Sequence, residues 1–237
     1  MSTQLILENV CAGYGESVVL ENVCLNVDAG DSLAVLGRNG MGKSTLLATL
    51  AGMTQLHSGR ITLDGKDLAG LPAYQRARMG LGWVPQERAV FSTLTVDENL
   101  NVVARPGYWS ATRIYDLFPS LAARRRHLGS QLSGGEQQML AIGRTLMLNP
   151  GVLLLDEPLE GLAPIISNDL RQTLVRLIRD HAMTIIVVEQ HPQHVLPITR
   201  QAIILDRGQI VHHAASHQLL SEPHNLERWL GVTKDKI

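Results

Sequence analysis

The chain has 237 residues, of which 45% are hydrophobic and 18% are charged, and its formal net charge is −1. This length suits one large domain, and the near-neutral charge gives no basic surface field, so we do not expect nucleic-acid binding. Residues 1–8 lack the features of a signal peptide, and no apolar run approaches the roughly 18 residues that span a bilayer, so we expect any membrane role to depend on partner proteins.

The first part of the chain predicts short strands at 5–7, 18–20 and 23–27, with a turn at 13–15, and a further strand at 61–63. Cys11 and Cys24 do not form a CxxC pair, and two cysteines cannot build a disulfide framework. We therefore expect two buried thiols in a reducing compartment.

A glycine-rich segment, Gly37–Thr45, lies between an apolar strand at 32–36 and a helix predicted at 45–51. It fits the pattern G-x-x-x-x-G-K-[ST], in which glycines let backbone N–H groups surround phosphates at a helix N-terminus. Lys43 can reach the β- and γ-phosphates, and the Ser44 hydroxyl can bind Mg²⁺. A glycine-rich turn that only caps a helix is the alternative, but the flanking strand and helix favour a nucleotide site. The predicted nucleotide-binding residues here are Gly37, Asn39, Gly40, Gly42, Lys43, Ser44 and Thr45.

Residues 86–131 differ in character from the segments around them, because they mix polar helix formers with Pro106-Gly107 and a run of three arginines. We interpret this stretch as a separate, mostly helical lobe. Ser133 is then a predicted N-cap, with Glu136 completing a capping box at the start of a helix that runs to residue 148. The two glycines after Ser133 are expected to leave their amides exposed.

An apolar strand predicted at 152–155 ends in two acids, Asp156 and Glu157, which places both carboxylates at the carboxyl edge of a sheet. Asp156 can hold Mg²⁺, directly or through water. Glu157 can orient or deprotonate the water that attacks the γ-phosphate. An exposed acidic turn would be the better interpretation in isolation, but the phosphate loop earlier in the chain favours the catalytic one.

The last part of the chain predicts a helix at 165–180 and a buried strand at 184–188. Strand, helix and strand in this order imply a parallel sheet with right-handed crossovers. Segments 202–205 and 209–213 predict a hairpin. The expected fold class is α/β, with one nucleotide-binding unit because each motif occurs once.

The segment Leu132–Gln138, LSGGEQQ, resembles the signature motif of ABC ATPases and lies between the phosphate loop and the acid pair, as in that family. The resemblance covers essentially the whole chain. It implies a P-loop NTPase (RecA-like) core with a mostly parallel sheet, an N-terminal antiparallel β subdomain and an α-helical signature subdomain. It also implies one ABC ATPase domain, 1–237, in which 1–85 and 150–237 form the nucleotide-binding core with the β subdomain and 86–149 form the helical subdomain.

The resemblance further implies that two such ATPase domains pair head to tail around ATP and Mg²⁺. Ser133, Gly134 and Gly135 of one copy would then contact the γ-phosphate held by Lys43 of the other. Tyr14 lies where the family stacks an aromatic ring on adenine, although a tyrosine between glycines is more often a turn residue.

Two more positions match the family. Gln86 lies where a glutamine senses Mg²⁺ and the attacking water, and His191 lies where a switch histidine contacts the γ-phosphate, although a lone histidine is usually structural. The implied catalytic residues are therefore Lys43, Gln86, Glu157 and His191, and the implied metal ligands are Ser44, Gln86 and Asp156.

Motifs within residues 82–100 and the segment Gly161–Pro164 look like the ATPase subunits of importers for branched-chain amino acids and urea. Ala163 replaces an aspartate of many ABC ATPases, as is typical of this branch, whereas Leu159 and Glu87 depart from it. The implied localisation is peripheral, at the cytoplasmic face of the inner membrane.

The implied partners are a second ATPase subunit, identical or paralogous, two transmembrane permease subunits and, indirectly, a solute-binding protein. Residues 89–91 and Leu94 would offer an apolar groove to a permease helix, but they could also form the core of the lobe. An exporter ATPase would share the same core. An ABC ATPase acting on nucleic acid or ribosomes is disfavoured, because those relatives usually carry a second ATPase unit, coiled-coil insertions or basic extensions.

Overall fold

The computed structural model describes residues 4–181, 183–221, 226, 229 and 230. The strands in chain order are β1 (Leu5–Tyr14), β2 (Ser17–Val27), β3 (Ser32–Leu36), β4 (Gln55–Leu63), β5 (Lys66–Asp67), β6 (Leu81–Val84), β7 (Val152–Asp156), β8 (Thr184–Val188), β9 (Gln201–Asp206) and β10 (Gln209–Ala215). The helices are α1 (Lys43–Ala51), α2 (Ala73–Arg78), α3 (Val96–Asn101), α4 (Ala111–Leu117), α5 (Pro119–Ala123), α6 (Gly134–Leu146), α7 (Pro164–His181), α8 (Pro192–Val195) and α9 (Ser216–Ser221).

The larger sheet has the strand order β10-β9-β3-β8-β7-β6. Strands β9, β3, β8, β7 and β6 run parallel, and β10 pairs antiparallel with β9 at one edge. The mostly parallel sheet and the C-terminal hairpin predicted from the sequence are both confirmed. Because β8 lies between β3 and β7, the segments that follow these three strands meet at one edge of the sheet.

The central strands are buried on both faces, which explains their continuous apolar sequences. In β7, Leu153 and Leu155 belong to the hydrophobic cluster that includes α6 and α7. Val152 and Leu154 belong to the cluster that includes α1 and the smaller sheet. The carboxyl edge of the larger sheet is therefore held between two packed cores.

The smaller sheet is antiparallel, with the strand order β2-β1-β4-β5, which confirms the predicted N-terminal β subdomain. The sequence predicted two strands at 18–20 and 23–27, whereas β2 is continuous. Asn22, whose φ is 52°, carries the strand through a register shift opposite β1. A single backbone irregularity therefore separates the two apolar runs that the sequence displays.

The predicted burial of the two cysteines is wrong, since Cys11 is half-buried and Cys24 is exposed. Successive side chains of a strand point to opposite faces of the sheet. In β2, Val23 and Leu25 are buried, so Cys24 between them faces the solvent.

The region 86–131 contains less helix than the sequence predicted, because α3, α4 and α5 have only 6, 7 and 5 residues. The irregular segment between α3 and α4 is held by the side chain of Asn149, which donates to the carbonyl oxygens of Arg105 and Trp109 and accepts from the Trp109 N–H. These contacts satisfy backbone groups that a helix would otherwise satisfy internally.

Candidate nucleotide-binding site

A cavity of about 320 Å³ opens where the segments after β3, β7 and β8 meet. It brings together most of the predicted phosphate loop with Gln86 and the second acid of the pair. The residues that line it are Val19, Asn39, Gly40, Gly42, Lys43, Ser44, Thr45, Gln86, Glu157, Glu160 and Gln190.

The loop before α1 depends on glycine at its two ends. Gly42 caps α1 with a φ of 100°, and at Gly37, whose φ is 156°, a Cβ atom would lie 2.4 Å from the carbonyl oxygen of Leu205. No side chain of the described residues caps the first turn of α1, so its N–H groups remain available to an anion. This geometry fits the phosphates of a nucleotide.

The turn between β9 and β10 ties this loop to the smaller sheet. The N–H of Gly208 donates to the carbonyl oxygen of Met41 over 3.0 Å, and its own carbonyl oxygen accepts from the N–H of Glu21 over 2.9 Å. A Cβ atom at Gly208 would lie 1.9 Å from the carbonyl oxygen of Val19, which leaves no room for a side chain. The turn between β9 and β10 therefore supports the phosphate loop through a backbone hydrogen bond.

Lys43 is the first residue of α1, and its side chain is only 5% exposed. Its Nζ atom donates to the carbonyl oxygen of Arg38 over 3.1 Å and lies 3.9 Å from Oε1 of Glu157. Burial lowers the pKa of Lys43, while the carboxylates of Glu157 and Asp156 raise it. The ammonium group is thus held in the cavity beside the acids.

Asp156 ends β7, is 3% exposed and accepts a hydrogen bond of 3.0 Å from the Ser44 hydroxyl. Burial raises the pKa of Asp156, and the hydrogen bond from Ser44 and the charge of Lys43 lower it. Hydroxyl and carboxylate oxygens are ligands that Mg²⁺ prefers, so the pair fits this ion. Among the described residues, no group of three or more His, Cys, Asp or Glu could hold a metal, and Mg²⁺ commonly takes one or two carboxylates plus substrate phosphates.

Glu157 has a left-handed backbone conformation, with a φ of 46°, which is uncommon for a residue with a side chain. Its N–H donates to the carbonyl oxygen of Val188 in β8 over 3.0 Å, so the neighbouring strand holds it. Burial raises the pKa of Glu157; hydrogen bonds from Gln190 lower it, and Glu160 raises it. The carboxylate is therefore held at the cavity by β8 and by Gln190.

Gln86 reaches the acids from the segment after β6. Its Nε2 atom donates to Oε2 of Glu160 over 2.5 Å and lies 3.4 Å from Oε2 of Glu157. No motif in the sequence predicts a role for Glu160. Glu160 lies three residues after Glu157, and its N–H donates to the Glu157 carbonyl oxygen in a turn. The short spacing from the acid pair is the sequence feature that could have predicted its place at the site.

Tyr14 is not among the described residues that line this cavity. It ends β1 with 54% of its surface exposed, and the apolar side chain at the cavity is instead Val19 of β2. The stacking of Tyr14 on adenine stays a prediction.

The signature residues Ser133, Gly134 and Gly135 are also absent from the described lining of this cavity. The predicted capping box is confirmed: the Glu136 N–H donates to Ser133 Oγ over 3.3 Å, and the Ser133 N–H donates to Glu136 Oε2 over 2.8 Å. Gly135 is buried rather than exposed, because α7 lies close to it. A Cβ atom there would be 2.5 Å from Cγ2 of Ile166.

His191 lies in a neighbouring cavity of about 400 Å³, which also contains Arg171 and His194. Its side chain is exposed, and its ring centroid is 5.3 Å from that of His194. The preceding residue, Gln190, lines both cavities and contacts Glu157. Gln190 was not among the predicted site residues, although a polar residue just after a buried parallel strand is typical of a ligand site.

Glu189, between Val188 and Gln190, is a buried carboxyl group. It is 3% exposed, and its Oε1 atom accepts from the N–H of Leu159 over 3.2 Å. Burial raises the pKa of Glu189 to about 7, against an ordinary value of 4.5. The folded protein therefore favours the neutral form of this group more than the unfolded chain does.

We expect Glu189→Gln to raise the melting temperature at pH 8 by a few degrees and to change it little at pH 5. In the wild type, stability falls as pH rises from the unfolded pKa near 4.5 through the folded pKa near 7, because the buried group must ionise. A neutral amide removes that cost and can still accept from Leu159. Calorimetry at both pH values, with exposed Glu16→Gln as the control, measures the difference. An equal shift at both pH values would contradict the explanation.

Comparison with known proteins places this geometry in a family. Residues 20–160 match the family described as ABC transporter. The chain is 40% identical to the high-affinity branched-chain amino acid transport ATP-binding protein BraG of Pseudomonas aeruginosa, over 96% of this chain and 99% of that protein. It is 36% identical to the probable branched-chain amino acid transport ATP-binding protein LivF of Archaeoglobus fulgidus, over 93% and 96% of the two chains.

It is also 31% identical to the lipopolysaccharide export system ATP-binding protein LptB of Escherichia coli, over 96% of this chain and 97% of that protein. Among solved structures, the ADP conformation of MJ1267, an ATP-binding cassette of an ABC transporter, has a TM-score of 0.82 and 26% identity, covering 97% of this chain and 99% of that one. The similarity extends through both sheets and the helical lobe. This chain belongs to the ABC transporter family.

Proposed function

We propose that this chain is the ATP-binding and ATP-hydrolysing subunit of an importer for branched-chain amino acids or a related small polar solute such as urea. The proposal depends on one observation: Lys43, the Ser44–Asp156 pair and Glu157 face one another at the phosphate loop. Similarity to BraG and LivF over nearly the whole chain supports the choice of an importer.

In the proposed reaction, the N–H groups at the start of α1 and the Lys43 ammonium bind the phosphates and offset their charge. Glu157 orients a water molecule and takes its proton as the water oxygen attacks the γ-phosphorus. The bond from that phosphorus to the bridging oxygen of ADP then breaks. Gln86 holds the acidic side chains from the lobe side. A Mg²⁺ ion held by Ser44 and Asp156 would supply positive charge beside the phosphates.

We propose that a second ATPase subunit, either another copy of this chain or a paralogue, completes the site. The signature residues lie outside the chain's own cavity, at the capped N-terminus of α6. In a head-to-tail pair, Ser133 and the following glycines would face the γ-phosphate bound to the partner. This arrangement explains why a chain with one phosphate loop also carries one signature.

We expect Ser133→Ala to impair hydrolysis by roughly tenfold or more while leaving ATP affinity within about twofold, since the serine would act on the partner's nucleotide. Loss of the N-cap should also cost about 1 kcal/mol of stability. Phosphate release and binding of a fluorescent ATP analogue, well below the melting temperature, measure the two effects separately.

Two further variants distinguish the cap from the contact. Ser133→Asp keeps an N-cap acceptor but places a negative charge toward the phosphate, so it should hydrolyse ATP slowly despite a stable helix. Ser130→Ala changes an exposed serine three residues earlier and should behave like the wild type. Full hydrolysis by Ser133→Asp would contradict the proposed contact.

We propose that residues 86–149 act as the helical subdomain that contacts a transmembrane permease, and that the chain is peripheral at the cytoplasmic face of the membrane. Among the described residues, no helix has the length and apolar character needed to cross a bilayer. Phe91 is 45% exposed, and its backbone N–H and carbonyl group are both bonded to the buried side chain of Asn99. A rigidly held, exposed aromatic residue suits a helix-in-groove contact.

An exporter ATPase is the second candidate function, because the similarity to LptB also spans nearly the whole chain. Uptake of labelled leucine and labelled urea by cells that lack the gene distinguishes the two. Uptake of either solute that is lost on deletion and restored by the wild type, but not by Glu157→Gln, would support the importer. Normal uptake of both solutes, with ATP hydrolysis intact, would favour the exporter.

A further inference from the structure

The segment after β8 lies between the phosphate loop and the acid pair. Strand β8 is hydrogen bonded to β3 on one side and to β7 on the other. Beyond its end, the N–H of Glu189 donates to the carbonyl oxygen of Val35, and the carbonyl oxygen of Val188 accepts from Glu157. The backbone on both sides of this segment is therefore fixed by the strands that carry the site.

Gln190 leaves this fixed backbone with its amide on the Glu157 carboxylate. Its Nε2 atom lies 3.0 Å from Oε1 and 2.9 Å from Oε2, so it donates to both carboxylate oxygens. The other donor groups near this carboxylate are more distant: Gln86 Nε2 at 3.4 Å and Lys43 Nζ at 3.9 Å. The amide of Gln190 is thus the closest side-chain donor to Glu157 among the described residues.

The charged surroundings make such a donor necessary. Glu160 places negative charge near Glu157, and Asp156 precedes it in the chain. Lys43 supplies a positive charge near Glu157, but in the proposed reaction it also binds the phosphates. A neutral amide donor can hold the Glu157 carboxylate in one rotamer without competing for the phosphates, because it carries no net charge.

We propose that Gln190 is a positioning residue for ATP hydrolysis, which orients the Glu157 carboxylate toward the attacking water. This inference rests on the proposed role of Glu157 as the base. Family resemblance implied that His191 lies beside the γ-phosphate. The proposal gives that place to Gln190 instead. The side chain of His191 instead turns outward at the start of α8, beside His194.

The test uses four single variants of the full chain. We expect Gln190→Ala to lower kcat about 10- to 100-fold, with KM and the affinity for a fluorescent ATP analogue within about twofold, because a misplaced base slows chemistry and not binding. Gln190→Glu has the same shape but cannot donate when ionised, so it should lose at least as much activity. Exposed Gln193→Ala is the matched control, and His191→Ala tests the competing assignment.

A double-mutant cycle separates positioning from a general structural effect. In a Glu157→Gln background, Gln190→Ala should lower the single-turnover rate by less than twofold, since the group through which it acts is already changed. Equal losses with and without Glu157 would overturn the inference. Wild-type kcat in Gln190→Glu, or a larger loss in His191→Ala than in Gln190→Ala, would overturn it as well.

The outcomes also distinguish this inference from the proposed function. If the wild type hydrolyses ATP and Glu157→Gln does not, the proposed function stands whatever Gln190 does. If Glu157→Gln retains the wild-type rate, the proposed role of Glu157 fails first. Melting temperatures of all variants identify any loss of kcat that follows from unfolding.

Discussion

Replacing Glu157 with glutamine is expected to slow ATP hydrolysis by about 100-fold or more while leaving ATP bound. The amide cannot accept the proton of the attacking water, whereas the Lys43 ammonium and the first turn of α1 still hold the phosphates. We propose that the pair closes on ATP and opens after hydrolysis, so the two Glu157→Gln subunits should remain closed around ATP. Phosphate release measures the rate, and size-exclusion chromatography with ATP at micromolar concentration detects the trapped dimer.

The control for this variant is Asp180→Asn, an acid-to-amide change at an exposed position near the end of α7. It should hydrolyse ATP at the wild-type rate and elute as the wild type does. A Glu157→Gln protein that stays monomeric with saturating ATP would count against the head-to-tail pair. A Glu157→Gln protein with normal hydrolysis would remove Glu157 from the reaction.

Lys43→Ala is expected to lower ATP affinity and to reduce hydrolysis to near the limit of detection. The ammonium is the one cationic side chain in the lining of the phosphate-loop cavity, within the described part of the chain. Its removal takes a positive charge from the phosphates in a partly buried site, where charge interactions are strong. Titration with a fluorescent ATP analogue measures the affinity, and phosphate release measures the rate.

Lys66→Ala provides the matched control, because Lys66 is an exposed lysine on the short strand β5. It should bind and hydrolyse ATP normally. The loss of Lys43 also leaves Glu157 and Asp156 without their nearest ammonium, so melting temperatures should accompany the binding data. Normal ATP affinity in a folded Lys43→Ala protein would contradict the assignment of this loop.

The parallel sheet could be predicted because each of its central strands is a continuous apolar run in the sequence. Val152–Leu155 is an apolar run bounded by turns, and a short continuous run of this kind is typical of a parallel strand buried on both faces. The structure of the helical lobe was predicted less accurately than the sheet. Its irregular backbone is held by Asn99 and Asn149, whose partners lie at positions that no local periodicity reveals.

The candidate site, too, could be predicted only in part from the sequence. Lys43 and Glu157 belong to short patterns whose spacing encodes their geometry, so the sequence placed them beside one cavity. Gln190 and His191 are adjacent, and which of them faces Glu157 depends on where β8 ends and how the chain turns into α8. That one-residue choice is set by tertiary contacts, which the sequence pattern does not contain.

The order in which the ribosome delivers the strands has a consequence for biosynthesis. The phosphate loop emerges early, but the sheet neighbours of β3 are β8 and β9, and the turn at Gly208 that braces the loop is later still. Such non-local pairing delays folding until the distant segments are available. A nascent chain therefore cannot assemble its nucleotide site until nearly all of it has been translated, and premature termination before β8 leaves a fragment in which β3 has neither of its sheet neighbours.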